Sequence, residues 1–168
     1  MVDKVKQGKK NKRSGADFER RVRENLELKG WIVSRWGNNV EFIKQKEKDL
    51  TGYEHQVYDI TGKEVKIGKL VPAKPGRFRM MQTGFPDFIA YILQKKVLKS
   101  KFEEGEYGEQ LVYKHYEIIF VECKTNGYLD KEEKEKALFY LNNNYCSKFL
   151  IASKFKEKGK IKVSYKEV

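Results

Sequence analysis

The sequence predicts an α/β domain: a central mixed β-sheet of four or five strands, with one helix before it and a second helix after an inner strand. Three observations lead there. Phe18, Val22 and Leu26 recur at helical spacing. Two apolar runs, FIAYILQ (Phe88–Gln94) and YKHYEIIFVEC (Tyr113–Cys123), have the length and β-propensity of central strands. The stretch LDKEEKEKALFYLNNN begins with acidic residues and places Ala137, Leu138 and Leu141 on one helical face.

The elements follow in order. Ser14 reads as an N-cap with Asp17 in the first turn, and Lys29-Gly30 closes the pattern. Trp31 to Trp36 (WIVSRW) is rich in β-formers and runs into the turn Gly37-Asn38-Asn39. Between residues 40 and 83, Gly52, Gly62, Gly68 and Gly76 punctuate short β-prone runs, predicting an inserted hairpin or two. Pro72 and Pro75 stiffen a basic loop carrying Lys74, Arg77 and Arg79 just ahead of Phe85-Pro86-Asp87. Lys95 to Gln110, with Gly105 and Gly108, reads as a solvated connection at a hairpin tip. Asp130 caps the second helix, and Lys148–Ser153 and Lys160–Tyr165 form the last strands on either side of Gly159.

A chain of 168 residues buries a core without staples and is read as one domain over residues 14–168. Residues 1–13 carry Lys4, Lys6, Lys9, Lys10, Lys12 and Arg13 against Asp3, and too few apolar groups to bury a face. They are expected to form a flexible basic arm. Cys123 and Cys146 are too few for a disulfide framework and lack the paired spacing of a zinc site, which fits a reducing compartment. His55 and His115 lie too far apart in sequence for a helical ligand pair. No apolar run approaches the roughly 20 residues of a membrane span, and no signal-peptide stretch opens the chain. The expectation is a soluble, intracellular, cytoplasmic protein with no membrane partner.

The 36 Lys and Arg against 24 Asp and Glu give a net charge of +12, a field that favours phosphodiester polymers through release of their counterions. The alternative reading of the same charge is a highly charged, solubilising surface and nothing more. Arg77, Arg79 and Lys74 in the stiff loop, with Lys9, Lys10, Lys12 and Arg13 in the arm, are the candidate contacts to nucleic acid. Phe18, Trp31, Trp36 and Tyr140 are read as core and not as base-stacking residues.

The chemistry concentrates at IIFVECK. Residues two apart on a strand share a face, so Glu122 and Lys124 point together while Cys123 points away. Asp87 stands at the mouth of the preceding apolar strand and meets Glu122 if the two strands are neighbours. Paired carboxylates attract a hard cation, and Mg²⁺ or Mn²⁺ binds through one or two carboxylates while keeping other positions for water and phosphate oxygens. Such an ion orients a scissile phosphate and acidifies water, leaving Lys124 as base or charge stabiliser.

The order Gly-Phe-Pro-Asp followed by an apolar strand ending Glu-Cys-Lys resembles the PD-(D/E)XK nuclease superfamily. Upstream, Gly15-Ala-Asp-Phe18-Glu19-Arg-Arg-Val22 is similar to the glutamate helix of related families. The sequence looks most like the VRR-NUC type and the archaeal Holliday junction resolvase type, over most of residues 14–153. The resemblance implies a restriction-endonuclease-like core, a Mg²⁺-dependent DNA endonuclease, and Asp87, Glu122, Lys124 and Glu19 as catalytic residues. Asp87, Glu122 and Glu19 would hold the metal. It also implies a homodimer, since a junction resolvase makes paired cuts. A resolvase is the alternative within the enzyme class, and a non-catalytic nucleic-acid-binding module the alternative outside it. One departure is Glu133, which stands where similar sequences often place a glutamine.

Overall fold

The computed structural model describes residues 4–73, 84–98 and 111–168. Helix α1 (Lys4–Leu28) leads into β1 (Ile32–Arg35), followed by β2 (Asn38–Lys44), β3 (Lys46–Lys48), β4 (Glu54–Gln56) and β5 (Lys66–Pro72). Strands β6 (Phe88–Leu98) and β7 (Leu111–Cys123), helix α2 (Lys131–Asn142), and strands β8 (Lys148–Glu157) and β9 (Lys160–Glu167) complete the chain.

The central sheet is mixed and five-stranded, in the order β1-β6-β7-β8-β9. All neighbours are antiparallel except β7 and β8, whose parallel pairing needs a crossover, and α2 supplies it. The inserted region forms two further antiparallel pairs, β2 with β5 and β3 with β4.

Each face of the sheet has its own core. On one side Phe18, Val22 and Leu26 of α1 pack against Val33, Phe88, Ala90, Ile119, Val121 and Ala152. On the other, Tyr140 and Ala137 of α2 and Val40 of β2 close over Phe120, Phe149 and Ile151. Period-two alternation along β7 therefore sends Ile119, Val121 and Cys123 toward α1, and Ile118, Phe120 and Glu122 toward α2. Trp31 and Trp36 are half-buried against the α1 side and the α2 side respectively.

The helix ends follow local chemistry. Gly30 takes φ +86° while its N–H bonds Glu27 O (2.9 Å) and that of Trp31 bonds Leu26 O (3.1 Å), the paired closure in which a glycine after the last turn avoids a Cβ clash. Asp130 caps α2 by accepting from Glu133 N, and Glu133 reaches back to Asp130 N.

Three expectations are corrected. Residues 4–13 are helical, and Ser14 lies inside α1 instead of capping it. Lys and Gln are good helix formers, and a helix nucleated by the buried Phe18–Leu26 stripe extends over them at little cost. Lys95–Leu98 belong to β6 and not to a connection, because they continue the β7 ladder through pairs such as Val97↔Val112. Leu138 is 49% exposed; the buried face of α2 is carried by Lys136, Ala137 and Tyr140. Lys74, Arg77 and Arg79 lie outside the described residues, as do Pro75, Gly76, Gly105 and Gly108. Among the described residues, no helix is long and apolar enough to cross a membrane.

Candidate functional site

Gly84-Phe85-Pro86-Asp87 is held from both sides. Gly84 N–H donates to Trp36 O (3.0 Å) and Phe85 N–H to Asn38 O (3.0 Å). A Cβ on residue 84 would sit 1.9 Å from Asn38 O, so the approach of β2 requires glycine there. The Phe85–Pro86 peptide is cis. Phe85 stacks on Phe149 at 5.5 Å, and its carbonyl accepts from the buried Tyr140 hydroxyl (2.7 Å), which in turn accepts from Trp36 Nε1 (3.1 Å). Trp36 N–H donates to Asp87 O (3.2 Å). The turn is thus fixed by Trp36, just past β1, which holds Asp87 O, and by Tyr140 of α2, which holds Phe85 O.

Asp87 and Glu122 converge where β6 begins and β7 ends. Phe88 pairs with Val121, which sets Asp87 across from Glu122. The Asp87 N–H donates to Glu122 Oε2 (3.1 Å), and the Cys123 N–H donates to Asp87 Oδ2 (2.9 Å). Glu122 is buried at 7% exposure. Lys124 Nζ lies 3.3 Å from Glu122 Oε1, as the shared face of the strand requires. Cys123 turns to the α1 side and packs against that core.

The electrostatics are those of two carboxylates crowded away from water. Burial, and then the neighbouring Asp87 charge, push the Glu122 carboxyl up to about 8 against the partial relief of Lys124. Burial raises Asp87 as well, opposed by the Cys123 N–H and reinforced by the charge of Glu19. Burial followed by the Asp87 charge raises the Cys123 thiol, so it is no nucleophile.

Burial alone would lower Lys124, but its bond to Glu133 and its proximity to Glu122 outweigh that and hold it above its ordinary value. Lys124 is therefore an ammonium. Glu133, bonded to Lys124 Nζ, ties it to the first turn of α2. Sequence reasoning did not anticipate this contact. Its signal was the capping box: Asp130-x-x-Glu133 turns the glutamate back toward the helix start, which here abuts the end of β7.

Glu19 stands apart from the pair. Its Oε2 accepts from Arg35 Nη2 at 2.9 Å, near enough to Asp87 and Cys123 to raise both. Among the described residues, no group of three or more His, Cys, Asp or Glu side chains is gathered to hold a metal ion. The structure therefore joins Asp87, Glu122 and Lys124 and leaves Glu19 paired with β1. The donor set nevertheless fits a hard divalent cation. Two carboxylates suffice for Mg²⁺ when water and phosphate oxygens fill the remaining positions, and both are raised first by burial and then by neighbouring negative charge, which a cation would offset.

Of the candidate nucleic-acid contacts, Arg13 is an exposed residue of α1. Lys9, Lys10 and Lys12 fall on the same helix, with side chains outside the described set.

No family model, no curated protein and no solved structure matches the chain.

Proposed function

We propose that the chain is a divalent-metal-dependent DNA endonuclease with a restriction-endonuclease-like core of the PD-(D/E)XK type. The observation that carries this reading is the meeting of Asp87 and Glu122 at adjoining strand ends, with the Lys124 ammonium 3.3 Å from Glu122. The net charge of +12 supports a polyanionic substrate.

Asp87 and Glu122 would hold Mg²⁺ or Mn²⁺, which supplies Lewis-acid stabilisation of the attacked phosphate and makes a nearby water more acidic. The Cys123 N–H fixes Asp87 Oδ2, and the Asp87 N–H fixes Glu122 Oε2, so both carboxylates are oriented by backbone before any ligand arrives. Lys124, held as an ammonium between Glu122 and Glu133, has no lone pair with which to accept a proton. Its role is to place positive charge beside the phosphate oxygens as they gain negative charge. In the reaction a water oxygen bonds phosphorus and sheds its proton to solvent, the P–O ester bond breaks, and the departing oxygen is protonated.

A cleavage panel over single-stranded, duplex, flap and four-way-junction DNA, with Mg²⁺ or Mn²⁺ and with chelator, tests the reading. Cleavage is expected with either metal and none with chelator. Symmetric cutting confined to junctions would identify a resolvase acting as a two-fold homodimer. Salt-sensitive binding without cleavage under any metal would leave only a binding module and overturn the proposal.

A further inference from the structure

The central sheet has a site end, where β1 delivers Arg35, β6 starts after Asp87 and β7 finishes at Cys123. Strand β8 is parallel to β7 and pairs Ala152 with Cys123 there, but it runs on to Glu157 before returning as β9. The β8–β9 hairpin therefore overhangs the site. Its turn is formed by Lys158 (φ +47°) and Gly159 (φ +76°), the two left-handed residues of a tight hairpin connection. Helix α1 projects in the same sense: Glu19 is within electrostatic reach of Asp87, and the helix residues from Lys4 to Phe18 precede it. The two projections meet in a cleft of about 250 Å³ lined by Arg13, Asp17 and Arg21 of α1 and by Lys154 and Ile161 of the hairpin.

The overhang is strongly basic. Lys154, Lys156, Lys158, Lys160 and Lys162 face a single acidic residue of that stretch, Glu157, which pairs with Lys162. Among the described residues, Lys154, Lys156 and Lys160 are exposed and have no carboxylate partner. Lys154 pairs with Val163 and Lys156 with Ile161, so these lysines share the α1 side of the hairpin, where Val163 joins the core.

We infer that this overhang, the Arg13–Arg21 stretch of α1 together with the β8–β9 hairpin, grips the phosphate backbone of duplex DNA beside the site. The inference rests on the nuclease reading for its partner. Unneutralised lysines beside Arg13 and Arg21 form a positive surface, tempered by Asp17, that would release the condensed counterions of a duplex. The α1 side of the hairpin carries no aromatic ring between residues 154 and 162, and Phe155 lies on the opposite face. Phe18 also lines the cleft but is buried at 4% exposure, so base stacking, the usual device for single strands, has no exposed platform there.

Anisotropy of a duplex of about 30 base pairs, titrated in chelator over a range of salt, tests the inference. Lys154→Ala/Lys156→Ala is compared with Lys29→Ala/Lys148→Ala, which removes equal formal charge from Lys29 just past α1, over the Tyr165 ring, and from Lys148 at the start of β8, paired with Glu117. The hairpin pair is expected to weaken binding at least about fivefold and to lower the salt slope by roughly 2, with the far pair changing the slope by less than half of that. Equal effects of the two pairs would overturn the inference. So would tighter binding of a single strand of the same length, or of phosphatidylserine vesicles. Cleavage in Mg²⁺ is scored separately: binding with the expected slope difference but no cutting sinks the nuclease reading alone, and cutting without the slope difference sinks this one alone.

Discussion

Glu122→Gln is expected to lower metal-dependent DNA cleavage by at least about a hundredfold, and in the same protein to raise thermal stability at alkaline pH without metal. Both effects come from one buried carboxyl. Burial and the Asp87 charge lift its pKa from 4.5 to about 8, so the folded protein holds a proton there that the unfolded chain has released. Stability from this group is thus fully present below about pH 4.5 and is lost as pH rises through about 8. The loss is on the order of a few kcal/mol, which for a chain of this size corresponds to roughly 5–10 °C in melting temperature. Glutamine keeps the shape and an acceptor for the Asp87 N–H but carries no charge, so the variant should escape the alkaline loss. Melting curves at pH 5 and pH 9 in chelator check it. A wild type as stable at pH 9 as at pH 5, or a variant that follows the same decline, would contradict the strain assigned to this carboxyl.

Gly84→Ala is expected to damage both the fold and the site. The added methyl meets Asn38 O at 1.9 Å and Asn38 C and N at 2.7 Å, which are backbone atoms with no rotamer to change. Overpacking of this kind costs roughly 1–3 kcal/mol or more. Relief would have to come from separating residue 84 from β2, which breaks the Gly84–Trp36 and Phe85–Asn38 hydrogen bonds. Trp36 N–H also holds Asp87 O, so the shift reaches the carboxylate. The expected outcome is a melting temperature lower by several degrees, together with cleavage reduced at least about tenfold at a temperature where the variant remains folded. A folded variant with wild-type turnover would show that the position of Asp87 does not depend on this close approach.

Much of the fold was legible from periodicity. Phe18, Val22 and Leu26 marked the buried stripe of α1, and the apolar runs after Asp87 and before Lys124 marked the two strands that carry the site. The shared face of Glu122 and Lys124 followed from the two-residue repeat alone, and the Asp130 cap from its residue type. What escaped depended on groups distant in sequence. The pairing of Glu133 with Lys124 needs α2 to start beside the end of β7, and the pairing of Glu19 with Arg35 needs β1 to lie under α1. The capping box turns Glu133 back toward the start of its helix but does not say which strand end lies there, and the Glu19 pairing leaves no local signal. The start of α1 is not legible because Lys4–Arg13 offers helix propensity without an apolar stripe, a pattern shared with unstructured tails. The helical face shared by Ala137, Leu138 and Leu141 in the sequence is not the buried one, because α2 is charged on most sides and the burial of Lys136 and Tyr140 beside Ala137 turns its inner face.

The most direct test of a cation shared by Asp87 and Glu122 is calorimetric titration of Mn²⁺ at pH 8 into the wild-type protein and into Asp87→Asn/Glu122→Gln. Saturable binding with proton release is expected for the wild type, since the ion displaces the proton that Glu122 holds up to about pH 8. The double variant should show no saturable heat. Equal binding by the two proteins, or none by the wild type, would contradict the account.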